Sequence, residues 1–411
     1  MRRPSLSRLL RTGIRRPLLL VYGGTGYGKS AEISAFLHTH HISFCWLRIE
    51  ESDSEPRRFF SYLIESLRTR YPSFAQEGLS DKKLGESGVD PEQYVAAWIK
   101  ELSQLPEKVV LVLDDFHHVE QVKEIREWLW GILPHLPEQI HLVITSQRVL
   151  DWDLFASMRV KGELQQVSQE DLAWSKEEIE VYLVDVCRLA VQEEHVQLIY
   201  QETKGWAVAV QALAEEILLK KDLTALSNVI AEVKEDLFRY LEISVWNPLP
   251  QELKELLERL AIRQEWTSTW CSQILDLSGA EKVLKNLAHH HLFFWPSGSD
   301  TYCFHPLFRS LIQKKCKVEE KTLLHKQAAR YFEEKGHKEE ALYHLKEAGE
   351  EEALAQFLAQ YGLQIIRQGE LALLEGSCQL LSVSIKDQYY RVWTVEGEMN
   401  RYRSLYSQAL D

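Results

Sequence analysis

The sequence contains few cysteines, and none of them form a recognisable pair. Its six cysteines are scattered along 411 residues, with no CxxC spacing. They are Cys45, Cys187, Cys271, Cys303, Cys316 and Cys378. Structural zinc sites and disulfide frameworks need close, regular cysteine spacing, so the pattern argues against both. Because scattered single cysteines suit a reducing compartment, we expect a cytoplasmic protein.

The sequence also lacks a long hydrophobic run. No stretch of about 18 apolar residues occurs, so we expect no membrane-spanning helix and no membrane partner. The apolar run at 17–22 follows a basic start, but it is short and precedes a glycine-rich loop rather than a small-residue cleavage site. It therefore predicts a buried strand and not a signal peptide.

An excess of positive charge is absent as well. The chain has 48 Lys and Arg against 61 Asp and Glu, a formal net charge of −13. Binding to nucleic acid phosphates or to anionic membranes needs clustered cations, so this balance argues against non-specific affinity for either. It leaves open a small local DNA-reading surface. The length and the 45% hydrophobic content predict two to four domains with cores of their own.

The first 170 residues alternate short apolar runs with helical patterns. Predicted strands cover 17–22, 43–49, 108–114 and 140–145, and predicted helices cover 29–38, 55–69, 91–104 and 119–132. This alternation predicts a parallel sheet with helices on both faces. The stretch 72–90 has no periodicity and is predicted to be a surface excursion.

Beyond residue 170 the patterns are mainly helical. Helices are predicted at 175–190, 193–219, 231–244, 250–262 and 279–288. Aromatic strands at 291–295 and 301–305, joined by a five-residue turn, predict the wing of a winged helix. From about 319, small and large apolar residues alternate as they do in stacked helix pairs, and a chain ending at Asp411 inside such a stack is expected to be part of a longer arm.

The sequence Gly23-Gly-Thr-Gly-Tyr-Gly-Lys-Ser30 satisfies the P-loop pattern between a strand and a helix. Glycines let backbone N–H groups turn towards the β-phosphate, and the helix that follows points its positive end there. Lys29 is expected to reach the β- and γ-phosphates. The Ser30 hydroxyl is expected to ligate Mg²⁺.

A second strand, Val109–Asp114, ends in two carboxylates, Asp114 and Asp115. Two acidic groups at a buried strand end are costly unless they meet a cation, which predicts Asp114 as the partner of Mg²⁺. Asp115 either orients an attacking water or caps the next helix. After the strand at 140–145, Thr145 or Ser146 could sense the γ-phosphate, and Arg148 either pairs with that phosphate or is a solvated arginine.

Several segments in order resemble the MalT-type STAND ATPases, signal-transduction NTPases that include large LuxR-like bacterial transcription activators. They are the strand and P-loop at 18–30, Cys45–Asp53 with Arg58–Leu63, Leu113–His118, Asp171–Glu178, Thr203–Trp206 and Tyr302–Phe308. The resemblance runs from about residue 5 to 365. It implies an α/β P-loop domain at 1–170, a helical domain at 171–225, a winged helix at 226–318 and a TPR-like helical arm at 319–411.

The resemblance also implies a set of nucleotide-binding residues. They are Gly23, Gly24, Thr25, Gly26, Tyr27, Gly28, Lys29, Ser30, Ala31, Gly205 and His305. In such proteins Gly205-Trp206 would pack near the adenine and His305 would reach the β-phosphate of ADP, although His305 could instead simply finish a buried wing strand. Ala31 occupies a position at which relatives usually have a second hydroxyl. Relatives also tend to have the serine and the arginine adjacent, whereas here Gln147 lies between Ser146 and Arg148.

These features predict a slow, Mg²⁺-dependent regulatory ATPase, with Lys29, Asp115 and Arg148 as its catalytic candidates. The resemblance implies a form closed with ADP, which self-associates with ATP and an inducer bound through the arm. No LuxR-type helix-turn-helix follows within 411 residues, so DNA binding is expected only through an output module outside this chain. The alternatives are a nucleotide-gated scaffold with negligible hydrolysis and a metabolic P-loop kinase, for which no acceptor-binding lid is visible.

Overall fold

The structure is a computed structural model that describes residues 3–75, 79, 90–150, 152–220, 226–289, 293–368 and 371–402. Contacts divide the chain into two compact units. The first comprises Met1–Asn247, Lys285–Trp295 and His305–Leu307, and the second comprises Pro248–Leu284, Pro296–Phe304 and Phe308–Asp411. Within the described residues, no helix is both long and apolar enough to cross a membrane.

The first unit is organised around a five-stranded parallel sheet with strand order β2-β3-β4-β1-β5. The strands are β1 (Leu18–Tyr22), β2 (Phe44–Arg48), β3 (Val109–Asp114), β4 (Ile140–Ser146) and β5 (Leu164–Val167). In register, Leu18 of β1 pairs with Leu142 of β4, and Leu111 of β3 pairs with the same residue of β4. The parallel sheet predicted from the sequence is confirmed.

Helices cover both faces of this sheet because its central strands are apolar along their whole length. All six residues of β3 are buried. The helices of this region are α1 (Pro4–Gly13), α2 (Lys29–Thr39), α3 (Pro56–Arg68), α4 (Pro91–Ser103), α5 (Lys123–Ile132) and α6 (Asp153–Lys161). Side chains of α3, α4 and α5 pack with Leu111 and Leu142 in one core. On the opposite side, the end of α1 lies against Leu19, where a Cβ on Gly13 would come within 2.7 Å of that leucine.

Three elements of this region escaped the sequence patterns. Helices α1 and α6 and the edge strand β5 were not predicted. Strand β5 carries Gln165 and Gln166 between its buried ends, so it lacks the continuous apolar run of the central strands. The surface excursion predicted at 72–90 is wrong for its described part, because Phe74, Ala75 and Leu79 are buried. Residues 76–78 and 80–89 lie outside the described residues.

The rest of the first unit is mainly helical. It contains α7 (Gln169–Leu172), α8 (Lys176–Val181), α9 (Glu193–Thr203), α10 (Ala207–Lys220) and α11 (Leu226–Leu241), with π-helical turns at Tyr182–Val186 and Glu242–Trp246. The single helix predicted at 193–219 is wrong, since Lys204 and Gly205 adopt left-handed backbone angles and separate α9 from α10. This break positions Trp206.

The second unit begins with α12 (Gln251–Leu260), β6 (Glu265–Thr267) and α13 (Ser268–Ile274). The next helix, α14 (Ala280–His289), is divided between the units, because its residues from Lys285 onwards are grouped with the first. The aromatic hairpin is present as β7 (Phe294–Pro296) and β8 (Thr301–Phe304), in a three-stranded sheet of order β6-β8-β7. The short strand β6, which pairs antiparallel with β8, was not predicted. The start of the predicted first strand at His291 lies outside the described residues.

Helices fill the remainder of the second unit, as the patterns predict. They are α15 (Pro306–Lys315), α16 (Val318–Glu334), α17 (Lys338–Ala348), α18 (Glu351–Gln368), α19 (Leu371–Cys378), α20 (Val383–Gln388) and α21 (Arg391–Tyr402). Ala328, Ala341 and Ala348 are among the buried small residues between the paired helices. The four-domain division by residue range stays a prediction.

Candidate nucleotide-binding site

The P-loop connects β1 to α2 at the carboxyl edge of the sheet. Gly26 and Gly28 have φ of 77° and 85°, in the left-handed region that favours glycine. Gly28 directly precedes α2, whose first residue is Lys29. The local sequence therefore places the positive end of a helix, with its unpaired N–H groups, where the loop turns.

Lys29, Ser30 and Asp114 meet at this edge. The Lys29 side chain is buried, and its Nζ donates to the carbonyl oxygens of Gly23 (2.9 Å) and Gly24 (3.2 Å). Burial lowers the pKa of Lys29, while the carboxylates of Asp115 and Asp114 act in the opposite direction. The Ser30 hydroxyl donates to Asp114 Oδ1 at 2.8 Å. The parallel sheet thus joins residues from two motifs that are far apart in the chain.

This donor set fits Mg²⁺ held together with a nucleotide. A hydroxyl and a carboxylate are the hard oxygen ligands that Mg²⁺ takes, and phosphate oxygens and water complete its shell in such sites. Ser30 and Asp114 would hold the ion. Within the part of the chain that is described, no group of three or more His, Cys, Asp or Glu side chains could hold a metal alone.

Thr145 contacts both aspartates at the strand end, the carboxylate of Asp114 and the backbone of Asp115. Its hydroxyl donates to Asp114 Oδ1 at 2.5 Å and accepts from the Asp115 backbone N–H at 2.8 Å. Its side chain is fully buried. A role for Thr145 in sensing the γ-phosphate stays a prediction. Its contacts show that Thr145 orients the Asp114 carboxylate and the Asp115 backbone.

Asp115 adopts a left-handed backbone conformation, with φ of 58°, and its side chain lines the cavity beside the P-loop. It makes no capping hydrogen bond to the 3₁₀ turn Phe116–His118 that follows. Burial and the neighbouring Asp114 raise the pKa of Asp115, and Lys29 acts against them. His117 Nδ1 lies 3.9 Å from Asp115 Oδ1, and its imidazole was not singled out from the sequence.

Arg148 lies beside this edge but does not line the cavity. Its Nη1 is 3.4 Å from Glu120 Oε1, and its side chain is 45% exposed. Its backbone N–H donates to the Ser146 hydroxyl. Gln147 faces the cavity instead. A phosphate contact by Arg148 stays a prediction, and its buried partner Glu120 had no signal in the sequence.

The cavity has a volume of about 400 Å³ and two chemically different ends. Lys29, Ser30 and Asp115 line the polar end, together with the backbone of the P-loop and Ala31. Trp174, Val208 and Gln211 line the other end. A charged end joined to an aromatic and amide-bearing end matches the two halves of a nucleotide, its phosphates and its base.

Two segments outside the P-loop itself hold the loop in place. Trp206 Nε1 donates to the Thr25 carbonyl oxygen at 2.9 Å, and Val208 N–H donates to the Gly26 carbonyl oxygen at 3.2 Å. Gln169 Oε1 accepts the Gly24 N–H at 2.9 Å. The Gln169 contact was not predicted, because a lone glutamine carries no motif signal. Trp206 was expected near the adenine, but its bond to the P-loop was not foreseen.

Two protein families and several known proteins are similar to this chain. The MalT winged helix domain family matches residues 242–324, and the AAA domain family matches residues 14–147. The HTH-type transcriptional regulator MalT of Serratia proteamaculans is 27% identical over 384 residues, which cover 90% of this chain and 41% of that protein. These matches support a relationship of this chain to the MalT-type STAND ATPases.

Other similar proteins agree on the fold. The serine/threonine-protein kinase PknK of Mycobacterium tuberculosis is 25% identical over 395 residues, covering 93% of this chain and 35% of that protein. The Walker-type ATPase PABY2304 of Pyrococcus abyssi superposes with a TM-score of 0.55 at 14% identity, covering 76% of this chain and 95% of that one. This chain therefore spans about two fifths or less of the length of these curated MalT and PknK relatives.

Gly205 allows a close approach between two backbone segments. Its φ is 75°, and a Cβ there would lie 2.2 Å from the Trp174 carbonyl oxygen. The Trp174 N–H donates to the Gly205 carbonyl oxygen at 2.8 Å. Only glycine fits, and the close approach holds Trp174 at the cavity. Gly205 itself is not among the residues that line the cavity, nor is Tyr27, whose ring packs against Phe293.

The structure does not bring His305 to the lining of this cavity. The residue is fully buried, its Nε2 lies 2.7 Å from the Thr203 carbonyl oxygen, and its Nδ1 accepts from the Leu307 N–H. Burial lowers the pKa of His305 to about 4, so its ring is neutral at pH 7 and donates to Thr203. Its ring also contacts Trp206 and Phe293. A phosphate contact by His305 stays a prediction.

Proposed function

We propose that this chain is the nucleotide-switched core of a MalT-type regulator, which binds ATP or ADP with Mg²⁺. The observation that carries the proposal is the 2.8 Å contact between Ser30 and Asp114 beside a buried Lys29. A buried amine facing two carboxylates and a ring of backbone N–H groups suits a triphosphate and its cation.

At the polar end, each residue has a distinct task. Lys29 neutralises charge on the β- and γ-phosphates once it leaves the carbonyl oxygens of Gly23 and Gly24. Ser30 and Asp114 hold Mg²⁺, which supplies charge neutralisation when it is bound. Thr145 keeps Asp114 oriented for that task.

Asp115 is the residue proposed to orient an attacking water. Burial and Asp114 raise its pKa, whereas the nearby Lys29 lowers it and so favours the carboxylate form. If hydrolysis requires the surrounding cations to be correctly placed, ATP turnover will be slow. The raised pKa of Asp115 also supports the second candidate function, a nucleotide-gated scaffold with negligible hydrolysis.

The other end of the cavity suits a purine base. Trp174 offers an aromatic surface, Val208 an apolar one, and the Gln211 amide can both donate and accept. The segments that carry these residues also hold the P-loop through Trp206. Loss of nucleotide would therefore loosen the contact between Trp206 and Thr25, which supports a switch between closed and open forms.

Further parts of the proposal come from the relatives. MalT of Serratia proteamaculans is named an HTH-type transcriptional regulator, so we propose that this core controls DNA binding through an output module that is not in this chain. Self-association with ATP, an inducer that binds the helical arm and a cytoplasmic location belong to the same proposal. The acidic net charge supports an indirect route to DNA.

Substitution of Lys29 by alanine tests nucleotide binding directly. Removal of the cation that faces the phosphates should abolish measurable ATP binding while the fold persists. Ligand at 100 times its dissociation constant stabilises the bound state by about 2.7 kcal/mol, so wild-type protein should melt higher with ATP and Mg²⁺. Thermal unfolding of both proteins with and without nucleotide checks this. Equal shifts in both would place the nucleotide elsewhere.

A further inference from the structure

Arg3 is a buried arginine just before α1, and only 3% of its side chain is exposed. Its Nη1 donates to Glu32 Oε1 at 3.1 Å. Its Nη2 donates to Glu178 Oε2 at 3.0 Å and to the Ala173 carbonyl oxygen at 3.0 Å. A basic start to a sequence is usually a solvated one, so burial at this position needs an explanation.

The two ends of this guanidinium touch different parts of the first unit. Glu32 belongs to the first turn of α2, directly after the P-loop, and it lines the nucleotide cavity. Glu178 lies in α8, where the same carboxylate oxygen also accepts the Ser175 N–H. A buried guanidinium is costly to desolvate, and its planar fork suits two partners at fixed positions. Arg3 therefore fastens the segment 171–178 to the P-loop helix.

That segment reaches the cavity through Trp174. The Ala173 carbonyl oxygen that Arg3 binds is next to Trp174, which lines the cavity. The Trp174 N–H binds Gly205, and the adjacent Trp206 returns to the P-loop at Thr25. These contacts form a ring of linked residues that runs from α2 through Arg3, Ala173, Trp174, Gly205 and Trp206 to the P-loop, which leads back into α2.

We propose that Arg3 is a positioning residue of the nucleotide site, which keeps Trp174 closed against the cavity and thereby slows the release of bound nucleotide. The inference rests on the proposed function, because it concerns the same cavity. Arg3 acts through Glu32 and Glu178 and need not touch the nucleotide. Without the Arg3 guanidinium, the contacts to Glu32 and Glu178 are lost, and the ring of linked residues is broken between α2 and α8.

The test compares the release of a fluorescent N-methylanthraniloyl derivative of ADP from wild-type protein and from three variants. Arg3→Gln removes the charge, and Arg3→Lys keeps the charge but cannot reach two partners as a fork. Arg8→Gln is the matched control, because it removes an exposed arginine from α1, the helix that directly follows Arg3. We expect Arg3→Gln to release the probe roughly tenfold faster or more, Arg3→Lys to lie between it and the wild type, and Arg8→Gln to match the wild type.

A purely structural role gives a different result. In that case Arg3→Gln would melt at a lower temperature with and without nucleotide, and its release rate would equal that of the wild type, which would overturn the inference. If Arg3→Gln does not fold, Arg3→Lys and Glu178→Gln carry the test, and wild-type release rates in both would overturn the inference equally. Failure of the wild type to bind the probe would instead refute the proposed function. Normal binding with unchanged release refutes only the role of Arg3.

Discussion

At one end of the cavity Lys29, Ser30 and Asp114 make short polar contacts within the P-loop domain. At the other end, the lining residue Val208 follows closely after Trp206, whose ring packs at 5.0 Å from the Phe293 ring and at 5.8 Å from the His305 ring. Trp206 reaches the P-loop through one indole hydrogen bond. The polar end recognises charge, whereas the aromatic end depends on shape and on backbone geometry. A ligand that bridges both ends can therefore couple phosphate chemistry to the packing of distant segments.

The aromatic end should be the more sensitive to a single added methyl group. Gly205→Ala forces a left-handed residue and a Cβ at 2.2 Å from the Trp174 carbonyl oxygen. We expect a loss of about 3 kcal/mol or more in the free energy of unfolding, and weaker ADP binding. Denaturant unfolding and ADP titration measure both effects.

Gly162→Ala is the matched control for this substitution. Gly162 also has a left-handed φ, 72°, but nothing lies within 4 Å of an added Cβ. It should cost only about 1 kcal/mol and leave ADP binding unchanged. Equal losses in the two variants would mean that the contact between Gly205 and Trp174 does not constrain the site.

At the polar end, the two carboxylates should separate by function. Asp114→Asn removes the charge that Ser30 and Thr145 surround, so the Mg²⁺ dependence of ATP binding should weaken by about 10- to 100-fold. Asp115→Asn should keep Mg²⁺-ATP binding and lose hydrolysis. Binding titrations over a range of Mg²⁺ concentrations, with a phosphate-release assay, distinguish them. Hydrolysis at the wild-type rate by Asp115→Asn would show that its proposed role is wrong.

His305 should give an effect on stability that depends on pH and is small at neutral pH. Its pKa is about 4 in the folded protein, against 6.5 for an ordinary histidine, so the unfolded chain binds more protons between these values. The stability contributed by neutral His305 is therefore complete above about pH 6.5 and is lost as the pH falls towards 4. His305→Gln cannot titrate but can still donate to Thr203, so the slope of stability against pH should fall by up to ~1.4 kcal/mol per pH unit.

A second variant, His305→Ala, examines the coupling of His305 to the nucleotide. Chemical unfolding between pH 4 and 7 gives the slope, and dissociation constants for ADP and ATP give the ratio of the two affinities. If His305 contributes to an ADP-closed form, His305→Ala should weaken ADP more than ATP, by roughly 5-fold or more. An unchanged ratio would make His305 a packing residue only.

The polar end of the cavity could be predicted from the sequence more fully than the aromatic end. Gly23–Ser30 and Val109–Asp115 are contiguous patterns, so the polar end could be predicted from spacing alone. Strand β5 was missed because Gln165 and Gln166 interrupt its apolar pattern. The helical pattern over 193–219 concealed the break at Lys204 and Gly205, because periodicity does not report a left-handed turn.

Contacts between distant segments are the part that sequence patterns do not contain. Gln169 on Gly24, Glu120 on Arg148 and Arg3 on Glu178 each join side chains with no shared motif. Their partners are decided by the packing of whole elements, not by local residue preference. The arginine near the start of the chain had the pattern of a solvated charge, and only the fold shows its burial.

The most direct test of the account is the identity of the nucleotide that the purified protein carries. Protein prepared without added nucleotide is denatured, and the supernatant is separated by ion-exchange chromatography. We expect ADP to be released from the wild-type protein and not from the Lys29→Ala variant. If the wild type releases no nucleotide and does not rebind added ADP with Mg²⁺, the central claim that this cavity is a nucleotide site is contradicted.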